Sequence, residues 1–434
     1  MSISSSMNAG VAGLAAQASH LATISDNIAN ASTPGYKRMT TDFAAMVLDS
    51  GPGRYTAGGV RAHDLRLVES RGALTATSNA TDLAITGRGM LPVTTASAVA
   101  AGGERPFYMT PTGSFYPDAS GYLRSASGLV LLGVPVGPDG QPPGFPRTTA
   151  DALVPVRIQA NEIVGAPTTT MRVAANLPAT ATEAGSPGDA KELSVTYYDN
   201  LGRGRQLLFT FTPVVPAAGD PPSNRWTVTI ADSAQDGAVI GEYEMEFDSS
   251  AANGGRLAAV TTVSGGAYDP DTGTIAVTTA SGPIEIDLGR PLQPGGFTQL
   301  AADFSPIAMT SDGFPAASMT GVEVDPAGFV VARYDSGDTR RLYQIPVVDV
   351  PNPNGLTALD GQTYAPSQAS GGFILWDAGD GPTGSIQGYA REESAVDVAQ
   401  ELTQLIRTQR AYSSNAKVIQ TVDEMLQETT NLKR

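Results

Sequence analysis

The chain has 434 residues, with 27 Lys and Arg against 43 Asp and Glu, a formal net charge of −16, 48 Gly, 31 Pro, two His and no Cys. That length suggests more than one domain with ample buried core, and the charge argues against duplex nucleic acid or an anionic membrane as a partner, since both need basic stripes. The missing Cys removes disulfides, thiolate nucleophiles and Cys-based metal sites together, and His20 and His63 leave little for imidazole chemistry.

The first twenty residues lack the basic start and continuous apolar run of a cleaved signal. The longest apolar stretch, Gly128 to Gly137, is too short to span a bilayer and contains Gly and Pro. The expectation is a chain without membrane insertion, cytoplasmic or exported with its N-terminus uncleaved.

From Met7 the residues Met7, Val11, Leu14, Ala18, Leu21, Ser25 and Ile28 step by four and three. This spacing predicts a helix with a heptad seam, interrupted by Ser25 with Ile24 beside it. Gly10 and Gly13 weaken that helix by roughly 1 kcal/mol each but permit a close neighbour. Asn30 to Gly35 supplies the stop, and Pro34 blocks continuation.

The middle reads as strand and turn. Val195 to Pro213 predicts a hairpin around a Gly-rich turn, and Gly328 to Val348 another around Asp-Ser-Gly. Arg225–Ile230, Glu242–Phe247, Thr274–Thr279 and Gly282–Leu288 alternate or are β-branched. Glu242, Glu244 and Glu246 share one strand face, opposite Tyr243, Met245 and Phe247. Paired carboxylates suit glycoside hydrolysis, but this alternation is what a half-buried strand shows. Asp269 to Gly273 begins like a calcium loop, yet Ala280 stands where a bidentate Glu is needed, so a turn is expected. Residues 151 to 300 carry 17 acidic and 8 basic side chains, as a solvated outer domain would.

The C-terminus returns to helical stepping. No Gly or Pro follows Arg391, and Val398, Leu402, Leu405, Gln409, Tyr412, Ala416, Ile419, Asp423 and Leu426 step by four and three. Ser394 with Asp397 predicts a capping arrangement at its start. A long helix with a narrow apolar stripe is not stable alone in water. Its expected partners are the N-terminal helix and then the same helices of neighbouring chains. The alternative is that both helices pack on their own β-domain.

No phosphate-binding loop, dinucleotide fingerprint or nucleophile elbow is present. Nothing nominates a catalytic residue, cofactor or metal ligand.

The segment DNIANASTPGYKR (26–38) resembles the N-terminal signature of bacterial flagellar rod and hook proteins, the axial family. ELTQLIRTQRAYSSNAKVIQTVDEMLQETTNL (401–432) is similar to that family's closing helix. Residues 58–89 and 319–356 resemble the segments that enter and leave its first β-domain.

This resemblance implies an α+β multidomain protein whose terminal helices pair as a coiled coil, with mainly β, sandwich- or barrel-like outer domains. The boundaries it suggests are 1–36 with 392–434 for the coiled coil and 37–75 with 372–391 for a linker. A first β-domain would take 76–152 with 301–371, and an inserted outer one 153–300. The long insertion favours the hook members over the shorter rod members. The implied product is a curved, hollow, flexible tube of many copies, a universal joint passing torque from rod to filament. Met7, Val11, Leu14, Leu21, Ile28, Val398, Leu402, Leu405, Tyr412, Ile419 and Leu426 are the expected polymer contacts. Asn27, Asn30, Thr33, Pro34, Gly35 and Tyr36 would set the turn after the first helix, and Gln409, Arg410, Tyr412 and Asn415 form the C-terminal motif.

Implied partners are further copies, the distal rod, hook cap, hook–filament junction and hook-length control proteins, and the flagellar type III export apparatus. The implied location is the extracellular hook. The rival readings are a distal rod protein and, from another class, a secreted β-rich adhesin.

Overall fold

The computed structural model describes residues 3–47, 57–103, 105–137, 140–159 and 163–431. It is mostly β, with a long helix near each end of the chain. Two compact units are present. One comprises Met1–Ala160, Gly321–Arg333 and Thr339–Arg434, the other Asn161–Thr320 and Tyr334–Asp338.

The second unit is built from two five-stranded sheets. One is an antiparallel meander of Lys191–Tyr198, Gly204–Pro213, Arg225–Asp232, Ala238–Phe247 and Leu257–Ser264. In the other, Thr170–Pro178 lies parallel to Gly282–Asp287 and Thr298–Leu300 and antiparallel to Ser305–Ser311. Val173, Val277 and Ile286 of this sheet share one core with Phe209, Phe211 and Trp226 of the meander.

The alternation of Ala238–Phe247 explains its placement. Tyr243, Met245 and Phe247 are buried, each worth about 1.5–3 kcal/mol of burial. Glu244 and Glu246 face outward and lie 3.5 and 3.3 Å from the Arg225 guanidinium. The predicted hairpin closes where the Asp199 carboxylate accepts from the amides of Leu201 and Arg203. Asp269 makes a turn, its carboxylate accepting from the Asp271 amide at 2.9 Å. At the end of Arg225–Asp232, Asp232 accepts from the Tyr197 hydroxyl, the Ala234 and Ala280 amides and Gln235. Burial alone would raise its pKa, but these bonds together hold it below the usual carboxylate value.

Among the described residues the first unit contains three α-helices, α1 (Ile3–Ala29), α2 (Ala96–Ala101) and α3 (Val398–Asn431). The short α2 is capped by Thr95 and ends at Gly102, whose φ of 66° suits a residue without Cβ. The β-core runs through Thr339–Gln344, Leu129–Pro135, Leu91–Thr95, Tyr108–Thr110, Thr363–Ala365 and Thr357–Leu359 as hydrogen-bonded neighbours. Met90, Met109, Leu132, Val348, Tyr364 and Leu375 fill its interior. Phe329–Tyr334 pairs with Thr339–Gln344 as the predicted second hairpin.

Two short ribbons join this core to the helices. Met39–Ala45 pairs with Val60–Arg66, and Leu74–Ala76 pairs with Ala390–Glu392, both antiparallel. The start of α3 differs from the expected capping arrangement. Asp397 is the cap, accepting from the Ala399 and Gln400 amides at 2.9 and 3.2 Å. Ser394 takes no part, because the strand pairing of Ala390–Glu392 holds the chain extended just before it.

Candidate functional site

The helix ends and the turn between helix and β-core hold most of the residues singled out above. Helices α1 and α3 lie antiparallel. A Cβ on Gly10 would sit 3.1 Å from Ile419, and one on Gly13 would sit 2.9 Å from the Asn415 amide nitrogen. Further along, His20 Nδ1 lies 3.1 Å from Thr408 Oγ1. The buried stripe of α1 is thus Gly10, Gly13, Ala16, Thr23 and Asn27, completed by Ile24. The two glycines allow α3 to approach their backbone.

The expected seam residues lie mainly beside this stripe. Met7 and Val11 are exposed, while Leu14, Leu21 and Ile28 are half-buried. On α3, Leu405 and Ile419 are half-buried, whereas Val398, Leu402, Tyr412 and Leu426 are 40–48% exposed. Gln409 and Arg410 point to solvent, and Asn415 faces Gly13. Each helix therefore leaves large apolar side chains exposed, Met7 and Val11 on α1 and Val398, Leu402, Tyr412 and Leu426 on α3.

The turn motif is a network around Asn27, which is 1% exposed. Its carboxamide donates to the Met39 carbonyl and accepts from the Met39 amide, both at 2.8 Å. The side chain thereby takes the place of a strand partner and reverses the chain after α1. Asn30 donates to the Asp26 carbonyl at 2.9 Å, and Thr33 donates to Asn30 at 3.2 Å. Tyr36 donates to Asp26 at 2.9 Å. Burial first, and then the Asp26 carboxylate, push the Tyr36 phenol far above its ordinary value. Gly35 has a φ of 72°, and its amide donates to the Glu392 carbonyl at 2.8 Å. Pro34 precedes it and ends any helical continuation.

Two ion pairs complete the site. Lys37 Nζ lies 2.7 Å from Glu392 and donates to the Ser70 carbonyl at 2.9 Å. Arg38 Nε lies 2.5 Å from Glu401, a carboxylate with no exposed surface. Burial pulls the Lys37 ammonium below the usual lysine value, against the opposing pull of Glu392. Sequence reasoning passed over these four residues. Lys37 and Arg38 stood inside the recognised motif, but no local period links them to acids more than 350 positions away. The donor set here suits structural closure. Among the described residues no cluster of three or more His, Asp or Glu could hold a metal ion, and no helix is long and apolar enough to cross a membrane.

Three family models match. Residues 7–37 match the flagella basal body rod protein model, 169–314 the flagellar basal body protein FlaE D2 domain, and 386–432 the flagellar basal body rod FlgEFG protein C-terminal model. The flagellar hook protein FlgE of Rhizobium meliloti (strain 1021) is 34% identical over the whole of both chains. That of Brucella suis biovar 1 is 35% identical over the same extent, and that of Escherichia coli (strain K12) is 29% identical over 98% of each chain. Among solved structures, the Helicobacter pylori flagellar hook protein FlgE2 superposes with a TM-score of 0.50 at 12% identity, covering 72% of this chain and 99% of that one. This last likeness concerns the fold.

Proposed function

The chain belongs to the flagellar hook protein family, a structural subunit of the flagellum and not an enzyme, and from that premise we propose how its ends build the tube. The terminal helices form a coiled coil through Gly10, Gly13 and Asn415 within one chain. Ile419 packs against Gly10 inside that pair, and the outer stripes, Met7, Val11, Leu14, Leu21 and Ile28 with Val398, Leu402, Leu405, Tyr412 and Leu426, pack on the helices of neighbouring copies. The observation that carries this reading is the exposure of large apolar side chains along both helices, 52% at Val11 and 48% at Leu402. Apolar stripes of this kind gain about 25 cal/mol per Å² when covered.

In this reading, residues 1–36 and 392–434 line the tube, and 37–75 with 372–391 form the linker. The first β-domain takes 76–152 with 301–371, and 153–300 form the outer one. The outer domains meet neighbours through wetter contacts that slide as the tube bends, so the polymer is curved, hollow and stiff in twist. The turn residues Asn27, Asn30, Thr33, Pro34, Gly35 and Tyr36 set the angle between helix and linker. Gln409 and Arg410 join the contacts between copies. The distal rod, cap, junction and length-control proteins are its end partners, and the type III apparatus exports it with its N-terminus intact.

The test is electron microscopy of the purified chain concentrated in a sulfate or phosphate salt, which strengthens apolar burial. Curved hollow tubes are expected. Straight tubes would favour a rod-like polymer, and persistent monomers would remove the assembly role of the outer stripes.

A further inference from the structure

A cavity of about 430 Å³ lies between the Leu74–Ala76/Ala390–Glu392 ribbon and the turn after α1. Alternate positions of a ribbon share a face. Thr75 stands opposite Arg391, so Thr75, Thr77, Arg391 and Glu393 line the cavity from one side. Ala31 and Pro34 line it from the turn, with Ser394 beyond the strand end.

Three atoms of this lining are buried without a hydrogen-bond partner: Thr77 Oγ1, Arg391 Nε and Ser394 Oγ. All three can donate, and a buried donor without an acceptor is costly. The carboxylates nearby already accept hydrogen bonds from other groups. Glu392 holds Lys37 and the Gly72 amide at 2.7 and 2.9 Å, and Glu393 accepts from Thr75 at 2.5 Å. The charged side chains of the lining are Arg391, Glu392 and Glu393, and Lys37 neutralises Glu392, so the wall carries no net surplus of negative charge against an anion.

We propose that this cavity is an oxyanion site, where an oxygen of a carboxylate, sulfate or phosphate accepts from Arg391 Nε, Thr77 Oγ1 and Ser394 Oγ. The oxyanion has two possible sources. One is a free inorganic anion. The other is an acidic side chain of a second copy, a source that rests on the polymer reading above.

The experiment is calorimetric titration of the full-length monomer with sodium sulfate, then sodium phosphate, at constant ionic strength in chloride. Saturable binding is expected, weakened about tenfold or more in Arg391→Gln and Thr77→Val, as loss of a charge-assisted bond implies. Circular dichroism checks that both variants fold, and Thr77→Val alone carries the test if Arg391→Gln does not. Suppose the monomer binds neither anion, yet both variants need about tenfold more protein than wild type to form tubes. The acceptor is then a carboxylate of the second copy. Anion binding unchanged in both variants overturns the site. So does absent binding together with wild-type assembly of both variants, or with no assembly of wild type. Failure of wild type to assemble while sulfate still binds strikes the polymer reading and leaves the site standing.

Discussion

Lys37 and Glu392 stand 355 positions apart in the chain and 2.7 Å apart in space, with 3% and 2% of their side chains exposed. Lys37 comes just after the turn that ends α1, and Glu392 comes shortly before α3 begins. The pair therefore fixes the two helix roots against each other. Desolvating both ions is costly, and the added bonds to the Ser70 carbonyl and the Gly72 amide offset part of that cost.

Removing one partner is expected to hurt more than removing both. Lys37→Met leaves the buried Glu392 carboxylate without its hydrogen-bonded counter-charge, a loss of about 3–5 kcal/mol in urea denaturation. Combining it with Glu392→Leu should recover part of that loss. Equal stability of wild type and Lys37→Met would show that the pair contributes nothing.

Gly35 occupies left-handed backbone, and a Cβ there would lie 2.8 Å from Thr112 Cγ2. Gly35→Ala is expected to cost about 1–3 kcal/mol through backbone strain and that clash. Thermal unfolding reads the cost, and an unchanged midpoint would mean that the turn relaxes freely.

The outer stripes can be tested without disturbing the monomer. Val11→Asp and Leu402→Asp change exposed side chains, so monomer stability should move by only about 0.5 kcal/mol. Assembly into tubes should be lost, as judged by sedimentation and microscopy. Normal tubes from both variants would remove these residues from the contact between copies.

Alkaline solution should weaken the fold. Burial pushes the phenols of Tyr197, Tyr268 and Tyr364 up to about 12. The unfolded chain loses these protons near pH 10, so the folded state binds more protons between about pH 10 and 12. The stability they contribute is complete below pH 10 and falls as pH rises through that window. Tyr364 accounts for about 2–3 kcal/mol of it. Denaturation midpoints from pH 8 to 12 check this, and Tyr364→Phe should flatten the decline. An unchanged decline in that variant would move the effect to other groups.

Much of this architecture was legible because it is local. Alternation placed Tyr243, Met245 and Phe247 inward, and turn residues marked both hairpins. Heptad stepping found both helices, and Gly10 and Gly13 were legible as places for a close neighbour, but the stepping itself did not trace the stripe that joins them. That stripe is made of Gly10, Gly13 and Ala16, whose small side chains carry little hydrophobic signal. The ion pairs were illegible for another reason. No period relates Arg38 to Glu401, and only the folded β-core brings them together. Ser394 misled because its hydroxyl has capping chemistry, while strand pairing had already claimed the residues before it.

The antiparallel ribbon of Leu74–Ala76 with Ala390–Glu392 has a kinetic consequence. Its strands are separated by more than 300 residues, and closing so long a loop costs on the order of 5 kcal/mol in chain entropy. The meander of the second unit closes only short hairpins. Local contacts form faster than distant ones, so the expected order is meander first and ribbon last, after nearly all of the chain has emerged. Pulse-labelled hydrogen exchange during refolding should protect Phe209 and Val228 before Thr75 and Arg391; simultaneous protection would refute a sequential order. A chain built this way keeps its two ends open until its middle is finished.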